Sequence, residues 1–513
     1  MTPDDLVDLL EIPFTPEQLT AACAPLEPGL VVAGAGSGKT SVMAARVVWL
    51  VGTDQVKADE VLGLTFTNKA AAELSQRIRT SLAKAGLAAA DDAGEPVVST
   101  YHAFAGRLVT EHGLRLGIEP RSRLLADATR YQLAGRVLRR HRGTIEHLTS
   151  PLNMLIGDLV SLDADLSEHL VTPAELRAWD ANWLLELEQS CAEHEDQKGT
   201  KGHCDLLRRM ALVSRRRHEL TDLVEAYRAA KSDLDAIDFG DQVALGARLA
   251  ETVPEVGVLE RERAGVVLLD EYQDTSVAQR RMLAGLFSGG HPVTAVGDPC
   301  QAIYGWRGAS VANLDGFPSH FPRTTGERSA TYTLAVNQRS GGRLLRLANG
   351  VAEVLRGRHA VVELSAPPHK AELGDTVVAL HSSWSEETAW LAQQLRKLVD
   401  GGTEPGQIAV LVRARSDFAY LYAALAAQDL PVDVVGLGGL LAMPEVADVV
   451  ATLEVVDDPT ANPALLRLLT GPRWRLGARD LARLGRQARE VLQSEQGRDP
   501  DVDPLEEAVA GVD

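Results

Sequence analysis

The sequence is poor in cysteine and has no paired one: Cys23, Cys191, Cys204 and Cys300 are the four thiols in 513 residues, and none falls at metal-ligand spacing. That scatter excludes both a zinc site and a disulfide framework as the organising device. Long apolar runs are missing too, since no stretch approaches the roughly 20 residues of a membrane-spanning helix. The first residues, MTPDDLVDLLEIPF, are acidic where an export signal would be basic. These features predict a cytoplasmic chain without a membrane anchor. Positive charge is short as well: 52 Lys and Arg against 71 Asp and Glu leave a net charge of −19. A protein that coats nucleic acid by neutralising phosphates has the opposite balance, so any DNA contact must be local. Low-complexity segments are absent, and 45% apolar residues over this length suffice for about three or four domains.

What is present is an alternation of short apolar runs and helix-forming stretches. GLVVAG, VLGLTF and EPVVSTYHAFA read as strands, each followed by a helical pattern such as SVMAARVVWLV or NKAAAELSQRIRTSLAKAG. Strands alternating with helices predict an α/β fold with a parallel sheet covered on both faces. From residue 116 to 236 the pattern turns to long Leu/Ala/Arg/Glu stretches, a helical insertion that splits the first domain into residues 1–115 and 237–330. GVVLLDEYQ and PVTAVGDP resume the strand pattern. A second α/β domain is expected over 331–443, with strands at DTVVALHS and QIAVLVR around a helix EETAWLAQQLRKLVD. The start of a second helical insertion is expected over 444–513, ending in a polar, acidic tail.

AGAGSGKT, residues Ala33, Gly34, Ala35, Gly36, Ser37, Gly38, Lys39 and Thr40, departs from the phosphate-loop pattern only in having Ala33 at its first position. The glycines let successive backbone N–H groups face phosphate oxygens. Lys39 would neutralise the β- and γ-phosphates, and the Thr40 hydroxyl would ligate Mg²⁺. The run VVLL ends in Asp270 and Glu271, where an open parallel sheet places its chemistry. Two adjacent carboxylates there suggest divided labour, with Asp270 on the metal and Glu271 as the base that activates water.

The ordered blocks around this loop resemble the UvrD/Rep/PcrA family of superfamily 1A DNA helicases, along nearly the whole chain. FTPEQ resembles the adenine-recognising element, which implies that Gln18 reads the base. TFTNKAAAEL and STYHAFA resemble DNA-contacting segments, LLDEYQDTS and VGDPCQAIYGWRGAS resemble the family's most specific blocks, and NQRS resembles the start of the second motor domain. The resemblance implies tandem RecA-like P-loop motor domains, ATP and Mg²⁺ as cofactors, and 3′ to 5′ unwinding in DNA repair or recombination. It also implies that Gln301 senses the γ-phosphate and that Arg339 adds positive charge there. DNA contacts are expected from Thr65, Phe66, Thr67, Asn68, Tyr101, His102, Tyr304, Trp306 and Arg307, on single-stranded DNA and duplex junctions, because aromatic faces hold bases without sequence preference. The basic clusters RVLRRHR (residues 136–142) and LLRRMALVSRRRHEL (residues 206–220) could touch duplex phosphates; a solvated helix face is the alternative.

Finer placement points to the actinobacterial RecB-like helicase-nuclease branch, and so to a helicase-nuclease or repair partner protein, although no nuclease-type carboxylate cluster is present. Two departures stand out. Gln338 occupies the place of an aromatic that stacks on adenine. The family's last two blocks, Thr-x-His-x-x-Lys-Gly and Tyr-Val-x-x-Thr-Arg, have no counterpart, which implies a chain truncated before them. The competing expectation is therefore a catalytically weak ATP- and DNA-binding subunit.

Overall fold

Every residue of GLVVA, VLGLT, VVLL and VTAVG is buried, which is why these runs carry none of the apolar–polar alternation of a half-exposed strand. The computed structural model describes residues 1–87, 94–194, 201–435 and 444–495. Its strands are β1 (Gly29–Ala33), β2 (Val61–Thr65), β3 (Val97–Thr100), β4 (Arg123–Leu124), β5 (Ala236–Ile237), β6 (Val266–Leu269), β7 (Val293–Gly297) and β8 (Ala330–Leu334). Six of them form one sheet in the order β3-β2-β6-β7-β1-β8, with every neighbouring pair parallel.

Helices α1 (Pro3–Leu10), α2 (Pro16–Ala22), α3 (Lys39–Gly52) and α4 (Asn68–Lys84) lie on one face, and α5 (Tyr101–His112) begins the other. The chain then leaves the sheet for α6 (Asp127–Arg140), α7 (Leu152–His169), α8 (Pro173–His194) and α9 (Lys201–Ser232). It returns with α10 (Phe239–Thr252), α11 (Pro254–Arg263), α12 (Val277–Phe287) and α13 (Val311–His320). Because successive strand residues point to opposite faces, Leu30, Leu62, Leu64, Val267 and Leu269 enter a core with Phe104, Leu108 and Phe287. Val31, Val61, Val266 and Leu268 enter a second core with Leu6, Val47 and Ile78.

The helical excursion is closed at its neck by β4 pairing with β5 and has its own core of Leu133, Leu159, Leu223, Val224 and Tyr227. Lys231, near the end of α9, is buried beneath it and donates to Asp163 of α7 and to Asp238 and Asp241 at the start of α10. Burial alone would lower the pKa of this ammonium; the carboxylates of Asp163, Asp241 and Asp238 outweigh it, and the pKa is raised.

Two expectations differ from what is found. Residues 330–334, placed at the junction of the first and second domains, form β8 and hydrogen-bond along β1 as the edge of the first sheet. The compact unit carrying that sheet runs from Met1 to Thr376 and includes α14 (Gly342–Arg356). The other unit, Val377–Asp513, contains α15 (Trp384–Asp400), α16 (Phe418–Ala426), α17 (Pro444–Asp457), α18 (Asn462–Thr470) and α19 (Ala478–Glu495). The strands expected at DTVVALHS and QIAVLVR carry no ladder among the described residues. A strand exists only with a neighbour to take its backbone bonds, and here Leu380 is 98% and Leu411 93% exposed. The boundary expected at 443/444 and the acidic tail beyond 495 lie outside the described residues.

Candidate nucleotide and DNA site

All the phosphate-site residues gather at the carboxyl end of the six-stranded sheet. The loop after β1 turns through Gly36 and Gly38, whose φ angles of 71° and 83° suit glycine, and enters α3 at Lys39. Ser37 is buried and spends its hydroxyl inside the loop, donating to the Gly34 carbonyl at 2.7 Å. Thr40 is the second residue of α3, at the positive end of the helix dipole.

Gln18, expected to read adenine, is buried and holds the loop. Its Nε2 donates to the Ser37 carbonyl at 2.8 Å and its Oε1 accepts from the Thr15 N–H at 2.8 Å, as part of the α2 capping box. One amide hydrogen and one oxygen lone pair remain for a base.

After β6, Glu271 takes a left-handed backbone conformation at φ 47°, uncommon for a residue with a side chain. Its carboxylate accepts from Lys39 Nζ at 3.2 Å and from Gln273 Nε2 at 2.8 Å. The Asp270 carboxylate accepts from the Glu271 N–H, and burial together with the neighbouring Glu271 pushes its pKa up to about 6. Asp274 is raised to about 6 by the same two causes, and its Oδ1 has no hydrogen-bond partner among the described residues. Carboxylates so buried and short of positive charge fit a hard, oxygen-seeking divalent cation. Asp270 and Thr40 are the residues that could hold Mg²⁺.

The sheet brings in a further segment. Past β8, the Asn337 amide donates to the Ala35 carbonyl at 2.5 Å, and the Gln338 N–H donates to the Gly36 carbonyl at 2.8 Å. Arg339 is thereby set against the loop: a Cβ on Gly36 would lie 2.9 Å from the Arg339 Cβ. Gln301, after β7, donates to Asp298 at 2.6 Å.

The expected DNA contacts divide into three groups. Phe66 stacks on Tyr304 with ring centroids 4.6 Å apart, Tyr304 neighbours Trp306 at 6.4 Å, and Arg307 lies over the Trp306 ring. Trp306 is 73% exposed, so core packing does not account for it. Thr67 and Asn68 are exposed beside Phe66, where the Thr67 hydroxyl caps α4.

Tyr101 and Thr65 are corrections, because both are buried. The Tyr101 hydroxyl donates to the Asp270 carbonyl at 3.0 Å, which leaves no face for a base. Thr65 ends a central strand whose two faces are covered.

His102 is half-buried and points toward the insertion, 3.8 Å from Glu168 of α7. Gly308 reaches the same carboxylate side chain from the other side, since a Cβ there would lie 2.7 Å from the Glu168 Cβ. Sequence reasoning missed Gln273, Asp298 and Glu168, each of which meets a partner from a distant segment of the chain.

The profile of the UvrD/REP helicase N-terminal domain matches residues 14–322, and that of the UvrD-like helicase C-terminal domain matches residues 332–494. Among similar proteins, the ATP-dependent DNA helicase UvrD1 of Mycobacterium leprae is 29% identical over 490 residues, 93% of this chain and 57% of that protein. DNA helicase II of Haemophilus influenzae is 26% identical, over 93% of this chain and 58% of its own length. A probable DNA helicase II homolog of Rickettsia felis is 27% identical, over 92% and 64% respectively. The chain thus spans less than two thirds of the relatives it matches. No described helix is long and apolar enough to cross a membrane.

Proposed function

Because the chain belongs to the UvrD/REP helicase family, we propose that it is an ATP-driven motor that moves 3′ to 5′ along single-stranded DNA and unwinds duplex at junctions, in DNA repair or recombination. The observation that carries this reading is the continuity of two sites. The exposed ring of Trp306 and the stacked pair Phe66–Tyr304 lie on the short segments that follow Gln301 and Thr65, at the same end of the sheet as the phosphate loop. The direction of travel has its support in the family resemblance alone.

In this reading the loop N–H groups and Lys39 cradle the β- and γ-phosphates of ATP. Thr40 and Asp270 would hold Mg²⁺, which when bound supplies neutralising charge at those phosphates. A triphosphate offers Lys39 more negative charge than Glu271 does, so the ammonium turns to phosphate and the Glu271 carboxylate is released to orient water and take its proton. Gln301 senses the γ-phosphate, and Arg339, pinned to the loop through Asn337, sets positive charge against it. Bases stack on Trp306 and the Phe66–Tyr304 pair without regard to sequence, which suits a translocating protein of net charge −19.

Steady-state ATP hydrolysis by the full chain, with and without a single-stranded oligonucleotide, tests the reading. Turnover should rise with DNA and be abolished in Lys39→Ala and Glu271→Gln. Turnover indifferent to DNA, or surviving Glu271→Gln, overturns it. Nucleotide and DNA binding with negligible turnover would establish the weak-subunit alternative instead.

A further inference from the structure

Gln273 is 1% exposed, yet both ends of its amide are engaged, and in opposite directions. Its Nε2 donates to Glu271 Oε2 at 2.8 Å, and its Oε1 accepts from the Asp298 N–H at 3.0 Å. Asp298 in turn accepts from the Cys300 N–H at 2.9 Å and from Gln301 Nε2 at 2.6 Å. An unbroken chain of hydrogen bonds therefore runs Lys39–Glu271–Gln273–Asp298–Gln301. Three residues past Gln301 comes Tyr304, stacked on Phe66, and then Trp306.

The orientation of this amide is dictated. Turned over, it would set its oxygen against the Glu271 carboxylate and its NH₂ against the Asp298 N–H, leaving two acceptors and two donors face to face. A carboxylate, a thioether or a shorter amide cannot meet both neighbours. Gly297 completes the seat, since a Cβ there would lie 2.7 Å from Gln273 Oε1. Meanwhile Glu271 keeps its left-handed backbone conformation, and local strain of that kind persists only where surrounding bonds over-determine it.

We propose that Gln273 is a positioning residue that couples occupancy of the Tyr304–Trp306 segment by single-stranded DNA to the placement of the Glu271 carboxylate. The inference rests on the ATPase reading above. When a base stacks on Trp306 and shifts the 298–307 segment, the Asp298 N–H carries the Gln273 oxygen with it. The same rigid amide then moves the donor that faces Glu271. A double-mutant cycle measures that coupling.

ATP turnover is measured with and without single-stranded oligonucleotide in the unmodified chain, Gln273→Met, Trp306→Ala and the double variant. Gln273→Met should reduce the stimulation factor, kcat with DNA over kcat without, by about fivefold or more. The KM for ATP should stay within about twofold, since no phosphate contact is touched. In the Gln273→Met background, Trp306→Ala should cause little further loss of stimulation. Gln273→Glu keeps the shape and the acceptor for Asp298 but loses the donor to Glu271; it should uncouple in the same way, and it carries the test if the Met variant does not fold. Equal loss of kcat with and without DNA, or independent multiplication of the two effects, overturns the proposal while leaving the ATPase reading intact. A parent chain without DNA stimulation removes both.

Discussion

Asn337 and Ala35 lie 302 positions apart in the chain, and the amide of one donates to the carbonyl of the other at 2.5 Å. The Asn337 oxygen meanwhile accepts from the N–H groups of Arg339 and Ser340 at 2.8 and 2.7 Å. One buried side chain thus fixes the turn that carries Arg339 and fastens it to the phosphate loop. Asn337→Ala should cost about 1 kcal/mol, because it removes the side-chain partner of three part-buried backbone groups. It should also raise the KM for ATP and lower kcat together, since both the loop and Arg339 lose their tether. Thermal unfolding and steady-state kinetics on one preparation check this. An unchanged KM beside a lowered melting temperature would confine Asn337 to stability.

Trp306 and Tyr101 make opposite predictions although both are aromatic residues in DNA-type blocks. Trp306 is largely exposed beside Arg307, so Trp306→Ala should remove a stacking platform worth about 1–3 kcal/mol per base. Tyr101 is buried with its hydroxyl on the Asp270 carbonyl, so Tyr101→Phe should leave DNA affinity unchanged and cost about 1 kcal/mol of stability. Fluorescence anisotropy with a labelled oligonucleotide measures the first, and denaturant titration the second. A DNA-binding defect in Tyr101→Phe would mean that the ring moves out to the strand.

These cases mark what can be read from the chain. AGAGSGKT, VVLLDE and the apolar runs before them were legible because each motif is contiguous and sits where a parallel sheet ends. Burial of an individual ring was not, since the position of Tyr101 against Asp270 depends on α5 starting directly at the end of β3. Gln273 and Asp298 were passed over for a related reason: each is one letter in a motif, and the bond that joins them runs from the segment after β6 to the segment after β7. Residues 330–334 carry strand character without any mark of the sheet they join. DTVVALHS and QIAVLVR have the same character but no described partner, because sequence records the propensity of a strand and not its neighbour.

Lys231 ties the helical insertion to the sheet-bearing layer. It contacts Asp163, Asp238 and Asp241 at 2.8, 3.1 and 2.7 Å, while Arg228 pairs with Asp163 and Arg130 with Asp238. Three carboxylates and three cations balance there, so Lys231→Met should leave an uncompensated buried charge and cost about 3–5 kcal/mol. Urea unfolding supplies the number, and hydrogen exchange should place the loosening in α7 and the start of α10. A loss under about 1 kcal/mol would show that water or rearrangement repairs the cluster.

His291 gives a pH dependence whose sign can be worked out. Its ring stacks on Phe287 with centroids 5.3 Å apart, and its Nε2 is buried with no hydrogen-bond partner among the described residues. Burial, reinforced by the nearby Arg261 and opposed by a backbone hydrogen bond to Ala264, lowers its pKa to about 4. The unfolded chain takes up this proton near pH 6.5 and the folded one only near 4, so between those values the unfolded state holds more protons. The neutral ring's contribution is therefore complete above about pH 6.5 and is lost as pH falls toward 4. His291→Phe removes the titration and keeps an aromatic ring against Phe287. Across a melting-temperature series from pH 7.5 to 4, the variant should lose less stability than the parent, with the two curves separating below about pH 6.5. Parallel curves would mean that His291 takes up its proton as readily in the fold as in the unfolded chain.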